Sequence, residues 1–121
     1  MSLRVLCLVS GVYDLHIGVA MLFAAIPLAR LFGAPEPSPL INAQLNGVFT
    51  LTLAVGYFWA ARDEAVRRGY LWVAGVFAKA LGASLFVWDH IARSSPASFL
   101  LFAATDGTLA LVTLALLLVR R

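Results

Sequence analysis

Charge is what this chain has least of, and cysteine comes close behind. Lys and Arg number 9 and Asp and Glu 6 among 121 residues, so charged side chains make up 12% where soluble domains carry about 25%. A soluble chain this poor in charge would expose too much apolar surface to stay dispersed. The single cysteine, Cys7, excludes an intramolecular disulfide and any cysteine-built metal cluster, and it reads as a small apolar helix residue. No His-x3-His or Glu-x-x-His spacing is present, so no metal site is expected. His16 and His90 do not share a centre either, since His16 lies about 200° from Asp14 around its own helix. That argues against a haem held by two histidines. A glycine-rich nucleotide loop is likewise missing. Ser10, Ser84, Thr50, Thr52 and Thr105 stand in no nucleophile motif and read as helix hydrogen-bonders, so neither a catalytic residue nor a cofactor is expected. The net charge of +3 does not imply nucleic acid, because the basic residues are scattered singly and in pairs at the ends of apolar runs.

What is present is hydrophobicity in long runs. The apolar fraction is 62% and the mean hydropathy +0.92, a membrane composition. Four runs, at about residues 3–29, 40–61, 70–91 and 97–119, predict one all-α domain, an up-down-up-down four-helix bundle integral to the bilayer. Arg4, Arg62, Arg67, Arg68, Arg120 and Arg121 collect at the N-terminus, the second connection and the C-terminus, whereas only Arg30 and Arg93 flank the others. The positive-inside rule then puts both termini in the cytoplasm. The first run resembles a signal peptide, but Asp14 interrupts it and it continues through Leu31, which favours an uncleaved span. Pro27 is expected to be tolerated near its outer end. The proline-rich stretch 30–39 reads as an extended external strap. Tyr57, Trp59, Tyr70 and Trp72 suggest an interfacial aromatic belt, and Asp63 with Arg67 and Glu64 with Arg68 have the spacing of weak helical ion pairs.

Three charges lie inside these runs. At 1.5 Å per residue, Asp14 falls about 16 Å from the inner end of its helix, Lys79 about 14 to 18 Å from the inner end of its own, and Asp106 about 15 Å from an outer end. All three therefore sit near the midplane of a core about 30 Å thick. Each isolated charge there costs at least about 2.5 to 3.5 kcal/mol, so the three are expected to meet, with Lys79 between Asp14 and Asp106. One lysine against two carboxylates leaves an excess negative charge. Gly11 and Gly18 share the Asp14 stripe and Gly75, Gly82, Phe86 and His90 the Lys79 stripe, which lets backbones approach closely. Asn42 and Asn46, His16, and Asp89 with His90 form a second polar layer toward the outer face. The candidate ligand-binding or charge cluster is thus Asp14, Lys79, Asp106, Asn46 and His90.

Gly11-Val-Tyr and Gly18 match Gly75-Val-Phe and Gly82 at an offset of 64, and Asn46-Gly47 resembles Asp106-Gly107 at an offset of 60, the pattern of a duplicated hairpin. The run Tyr13-Asp-Leu-x-x-Gly18, then Leu31-Phe-Gly-x-Pro-x-Pro37, Asn46-Gly-x-Phe49 and Gly56-Tyr-x-x-Ala-Ala-x-Asp63, resembles small bacterial four-span proteins, broadly DoxX-like; in the second half only Lys79 and Asp106 correspond. That resemblance implies four helices in a bacterial inner membrane and hints at quinone-associated redox work. The residues themselves point to a non-catalytic module that binds an amphipathic or lipid-like ligand, or a membrane partner, through the midplane charges. The bilayer is the expected partner, with a homodimer or a partner membrane subunit as further expectations. A proton-coupled dimeric carrier, or a membrane enzyme subunit acting on quinone or lipid, is the competing expectation.

Overall fold

Proline and glycine decide where the first helix of the chain stops. A proline ring clashes with the carbonyl four residues earlier and donates no hydrogen bond, and the residue four before Pro27 is Phe23. In the computed structural model, which describes residues 1–120, helix α1 spans Leu3–Phe23 and breaks at Ala24. A separate helix α2 spans Ala25–Leu31 with Pro27 in its first turn, where a missing N–H costs nothing. The expected single span to residue 29 is therefore two helices. Ser2 opens α1 by accepting a hydrogen bond from the Val5 N–H at 3.1 Å, the usual role of an N-cap serine. Gly33 closes α2 at φ +67°. There the Gly33 and Ala34 N–H groups return to the Arg30 and Ala29 carbonyls, a Schellman stop that favours glycine.

Helix α3 spans Leu40–Arg62, and a single residue, Asp63, separates it from α4. Helix α4 runs continuously through Glu64–Arg93, including a π-helical stretch at Leu71–Ala78 immediately before Lys79. The connection expected at residues 62–69 is thus mostly the first turns of α4. Asp63 caps them by accepting from the Ala65 N–H at 3.0 Å. Its spacing partner Arg67 donates instead to the Ala60 and Ala61 carbonyls, at 2.9 and 3.1 Å. Arg68 donates to the Leu117 carbonyl at 2.8 Å and to that of Arg120. These arginines cap the C-terminal ends of α3 and of the last helix, where free carbonyls and the helix dipole both favour a cation. That is a stronger arrangement than exposed ion pairs with Asp63 and Glu64.

After Pro96, a 3-10 turn at Ala97–Phe99 leads into α5, Leu100–Val119. No strand occurs among the described residues. Three helices, Leu3–Phe23, Glu64–Arg93 and Ala97–Val119, are long and apolar enough to cross a membrane. Helix α3 is as long, but Asn42, Gln44 and Asn46 make its first turns polar. The side chains are distributed as lipid would require. Leucine, valine and phenylalanine stand outward, with Leu31, Ile91, Leu111 and Val119 largely exposed, while Ser10, Asp14, Lys79 and Thr113 are buried.

Helix α1 lies antiparallel along α3, and α4 along α5. The α1–α3 crossing is set by Gly18 and Gly47: a Cβ on Gly18 would fall 2.8 Å from Leu51 Cγ, and one on Gly47 would fall 2.9 Å from the Gly18 carbonyl oxygen. Backbone meets backbone there, as small residues permit in membrane interfaces. Toward the end that carries the N-terminus, Leu6, Cys7, Tyr57, Ala60, Leu71, Ala74 and Leu117 close into a core of almost fully buried side chains. Tyr57 does not join an interfacial belt. It is wholly buried and packs edge-on against Tyr70 at 5.1 Å, whose hydroxyl donates to the Leu53 carbonyl at 2.5 Å. Trp59 and Trp72 remain exposed.

Candidate functional site

Lys79 stands at the first residue after the π-helical stretch of α4. Each π turn shifts the register of the helix beyond it by about one residue, so that stretch decides which neighbour the lysine faces. It faces α1: Lys79 Nζ donates to Asp14 Oδ1 at 2.9 Å, with both side chains at 7% and 5% exposure. Asp106 from α5 approaches the same nitrogen at 3.6 Å and is 20% exposed. Three helices thus deliver the three charges to one point. The ammonium also lies 5.2 Å from the centroid of the Tyr13 ring and 5.7 Å from that of Tyr57, within the range of cation–π attraction. Tyr13 is itself held by a 2.6 Å hydrogen bond between its hydroxyl and that of Thr105.

The pair is not symmetrical. Asp14 is the hydrogen-bonded partner and is the more deeply buried, whereas Asp106 touches the lysine by charge alone. Among the described residues, Asp14 Oδ2, Ser10 Oγ and Tyr57 Oη are buried with no hydrogen-bond partner. The charges are not sealed off, because Asp106 keeps 20% exposure.

They form instead the floor of a cavity of about 560 Å³, within the usual size of ligand sites. Its walls are apolar. Ile17, Met21 and Leu28 come from α1 and α2, Ala43, Phe49 and Leu53 from α3, and Pro35 and Pro37 from the strap, with Asn46 and Thr50 as the polar wall positions. Four phenylalanines gather on one side: Phe86 stacks on Phe102 at 5.5 Å, Phe32 lies 5.0 Å from Phe102 and Phe99 6.2 Å from Phe86, and Phe32 and Phe99 are 6.3 Å apart. The strap that roofs the cavity is fastened at two places. Arg30 pairs with Glu36 at 2.7 Å, and the Ser98 hydroxyl donates to the Phe32 carbonyl at 2.5 Å.

Of the residues expected at the site, Asp14, Lys79, Asp106 and Asn46 line this cavity. His90 does not. It shares the Lys79 stripe but lies about 16 Å further along the axis, where its Nδ1 is 2.7 Å from the Ser95 carbonyl oxygen at the end of α4. Asp89 is paired with Arg93 at 3.1 Å, and His16 Nδ1 is 2.7 Å from the Val12 carbonyl oxygen on its own helix, so the outer polar layer reduces to Asn46. The phenylalanine cluster and the proline wall were not anticipated. Phe86 and Phe102 lie two turns beyond Lys79 and one turn before Asp106, and that spacing could have marked them.

Fold and site together define a class: an all-helical protein with helices fit to cross a membrane and a buried Asp–Lys–Asp group beneath an apolar cavity. Comparison of the chain with protein-family models, curated proteins and solved structures finds no match.

Proposed function

We propose that this protein is a non-catalytic membrane module that holds an amphipathic molecule, its apolar part among the phenylalanines and its polar head at the Asp14–Lys79–Asp106 floor. The observation that carries this reading is the cavity itself, apolar in its walls and charged at its base, the usual composition of a small-molecule site. In this reading all four long helices cross a bacterial inner membrane. Helix α3, with 23 residues, is about 35 Å long and spans the core, with Asn46 of its polar N-terminal part turned to the cavity. Arg4, Arg62, Arg67, Arg68 and Arg120 place the tightly packed end in the cytoplasm, and the cavity opens toward the outer face. A DoxX-like relationship, a partner subunit and a homodimer belong to the same proposal. A carrier would need the packed end to open, and the buried core around Tyr57 speaks against that as the resting behaviour.

Photo-crosslinking tests the reading. A decyl chain bearing a diazirine and a hydroxyl head, added to the protein in phosphatidylcholine discs, is expected to label cavity positions such as Asn46, Thr50 and Phe102. Labelling is expected to vanish in Lys79→Met while that variant still inserts. Labelling confined to the lipid-facing surface, or an unchanged pattern in Lys79→Met, contradicts it.

A further inference from the structure

Resting on that reading, we infer that the head group this cavity selects is cationic, an amine or other ammonium carried on an apolar chain, and that Asp106 is the side chain that receives it. The inference rests on the charge count at the floor and on its geometry. One ammonium and two carboxylates line the cavity, and no other charged residue among the described ones does. Lys79 donates to Asp14 at 2.9 Å, while Asp106 stands at 3.6 Å, beyond hydrogen-bond reach, with four times the exposure of Asp14, 20% against 5%. An anionic head would meet two carboxyl side chains against a single ammonium. A cationic head would balance that count, and balance matters most where water is absent.

The surroundings favour the same choice. At the roof, Arg30 and Glu36 neutralise each other at 2.7 Å, so that arginine is not left to recruit an anion. Tyr13 presents an aromatic face beside the floor, 5.2 Å from the Lys79 ammonium, and the stacked Phe86 and Phe102 rings stand one to two helical turns above it; such faces attract ammonium groups.

The test compares three decyl compounds, decylamine, 1-decanol and decanoate, as competitors against the hydroxyl-headed crosslinker. They are compared at equal bilayer concentrations in uncharged phosphatidylcholine discs, near neutral pH. Decylamine is expected to compete at about one tenth of the 1-decanol concentration or less, as a charge-assisted hydrogen bond predicts, and decanoate is expected to be the weakest. Asp106→Asn is expected to bring decylamine to the level of 1-decanol, and Asp106→Glu to retain the preference. Should Asp106→Asn not fold, the ranking of the three heads on the unaltered protein decides alone. Cavity labelling displaced equally by all three, or best by decanoate, overturns the cationic assignment and leaves the amphiphile site standing. Absence of cavity labelling in the first place removes both.

Discussion

The two ends of this molecule solve the same packing problem in opposite ways. Around Leu6, Tyr57, Leu71 and Leu117 the helices close on one another and almost nothing is exposed. Past the Asp14–Lys79–Asp106 level the α1–α3 pair and the α4–α5 pair part around a cavity of about 560 Å³. The difference lies in what fills the space between them. At the packed end, alanines at 60 and 74 let the helices approach, and two arginines tie off the ends of α3 and α5. At the open end, the break before Pro27 sends α2 and the strap across the top as a roof, and Phe86 of α4 stacks on Phe102 of α5 along the cavity wall. A chain needing only to be stable in lipid could have closed both ends.

The largest effect is expected where the two ends meet. Lys79→Ala strands the Asp14 carboxylate in the interior and is expected to cost about 3 to 5 kcal/mol, measured by equilibrium unfolding in mixed micelles. Adding Asp14→Leu to Lys79→Ala is expected to restore much of that stability, because both charges are then gone. A double variant no more stable than Lys79→Ala would show that the pair does not act as a unit.

Packing at the closed end gives the next effect. Leu117→Ala removes a side chain that is 1% exposed and is expected to cost about 2 kcal/mol or more, whereas Leu111→Ala, on a 69% exposed residue, is expected to stay within about 0.5 kcal/mol. Equal losses at the two positions, read in the same unfolding assay, would erase the distinction between interior and lipid face.

Smaller still is the contrast between two glycines that look alike in the sequence. Gly18→Ala drives a methyl into Leu51, including its backbone nitrogen at 2.9 Å, and is expected to cost about 1 to 3 kcal/mol. Gly82→Ala meets nothing closer than Asp106 Oδ2 at 3.8 Å and is expected to fall within about 0.5 kcal/mol. Thermal denaturation of both variants side by side checks the difference; similar melting shifts would contradict it.

That glycine pair also shows how far the sequence could be read. The meeting of Asp14, Lys79 and Asp106 was legible, because the cost of a lone charge in an apolar run constrains depth and face together. Gly18 and Gly82 had the same local pattern, and only the partner helix tells them apart: Gly47 faces Gly18, and nothing equivalent faces Gly82. His90 was grouped with the site because it shares the Lys79 stripe and belongs to the outer polar layer, but its distance along the axis leaves it outside the cavity. The spacing at Arg67 and Arg68 suggested Asp63 and Glu64, but the carbonyls they cap belong to helix ends that local spacing does not reveal. The break at Ala24 was available from Pro27, whereas the π-helical stretch before Lys79 has no proline to announce it. The cavity depends on where the strap lies, a long-range matter.

Two alanines on α3 test most directly whether one end is closed and the other open. Ala60 is wholly buried in the packed core, and Ala43 lines the cavity. An indole at Ala60 has no room, so Ala60→Trp is expected to fold poorly, with a melting temperature far below that of the unaltered protein. An indole at Ala43 has the cavity to enter, so Ala43→Trp is expected to keep the parent melting temperature while losing all labelling by the decyl crosslinker. Comparable loss of stability in both variants, or undiminished labelling in Ala43→Trp, would contradict a closed end and an open one.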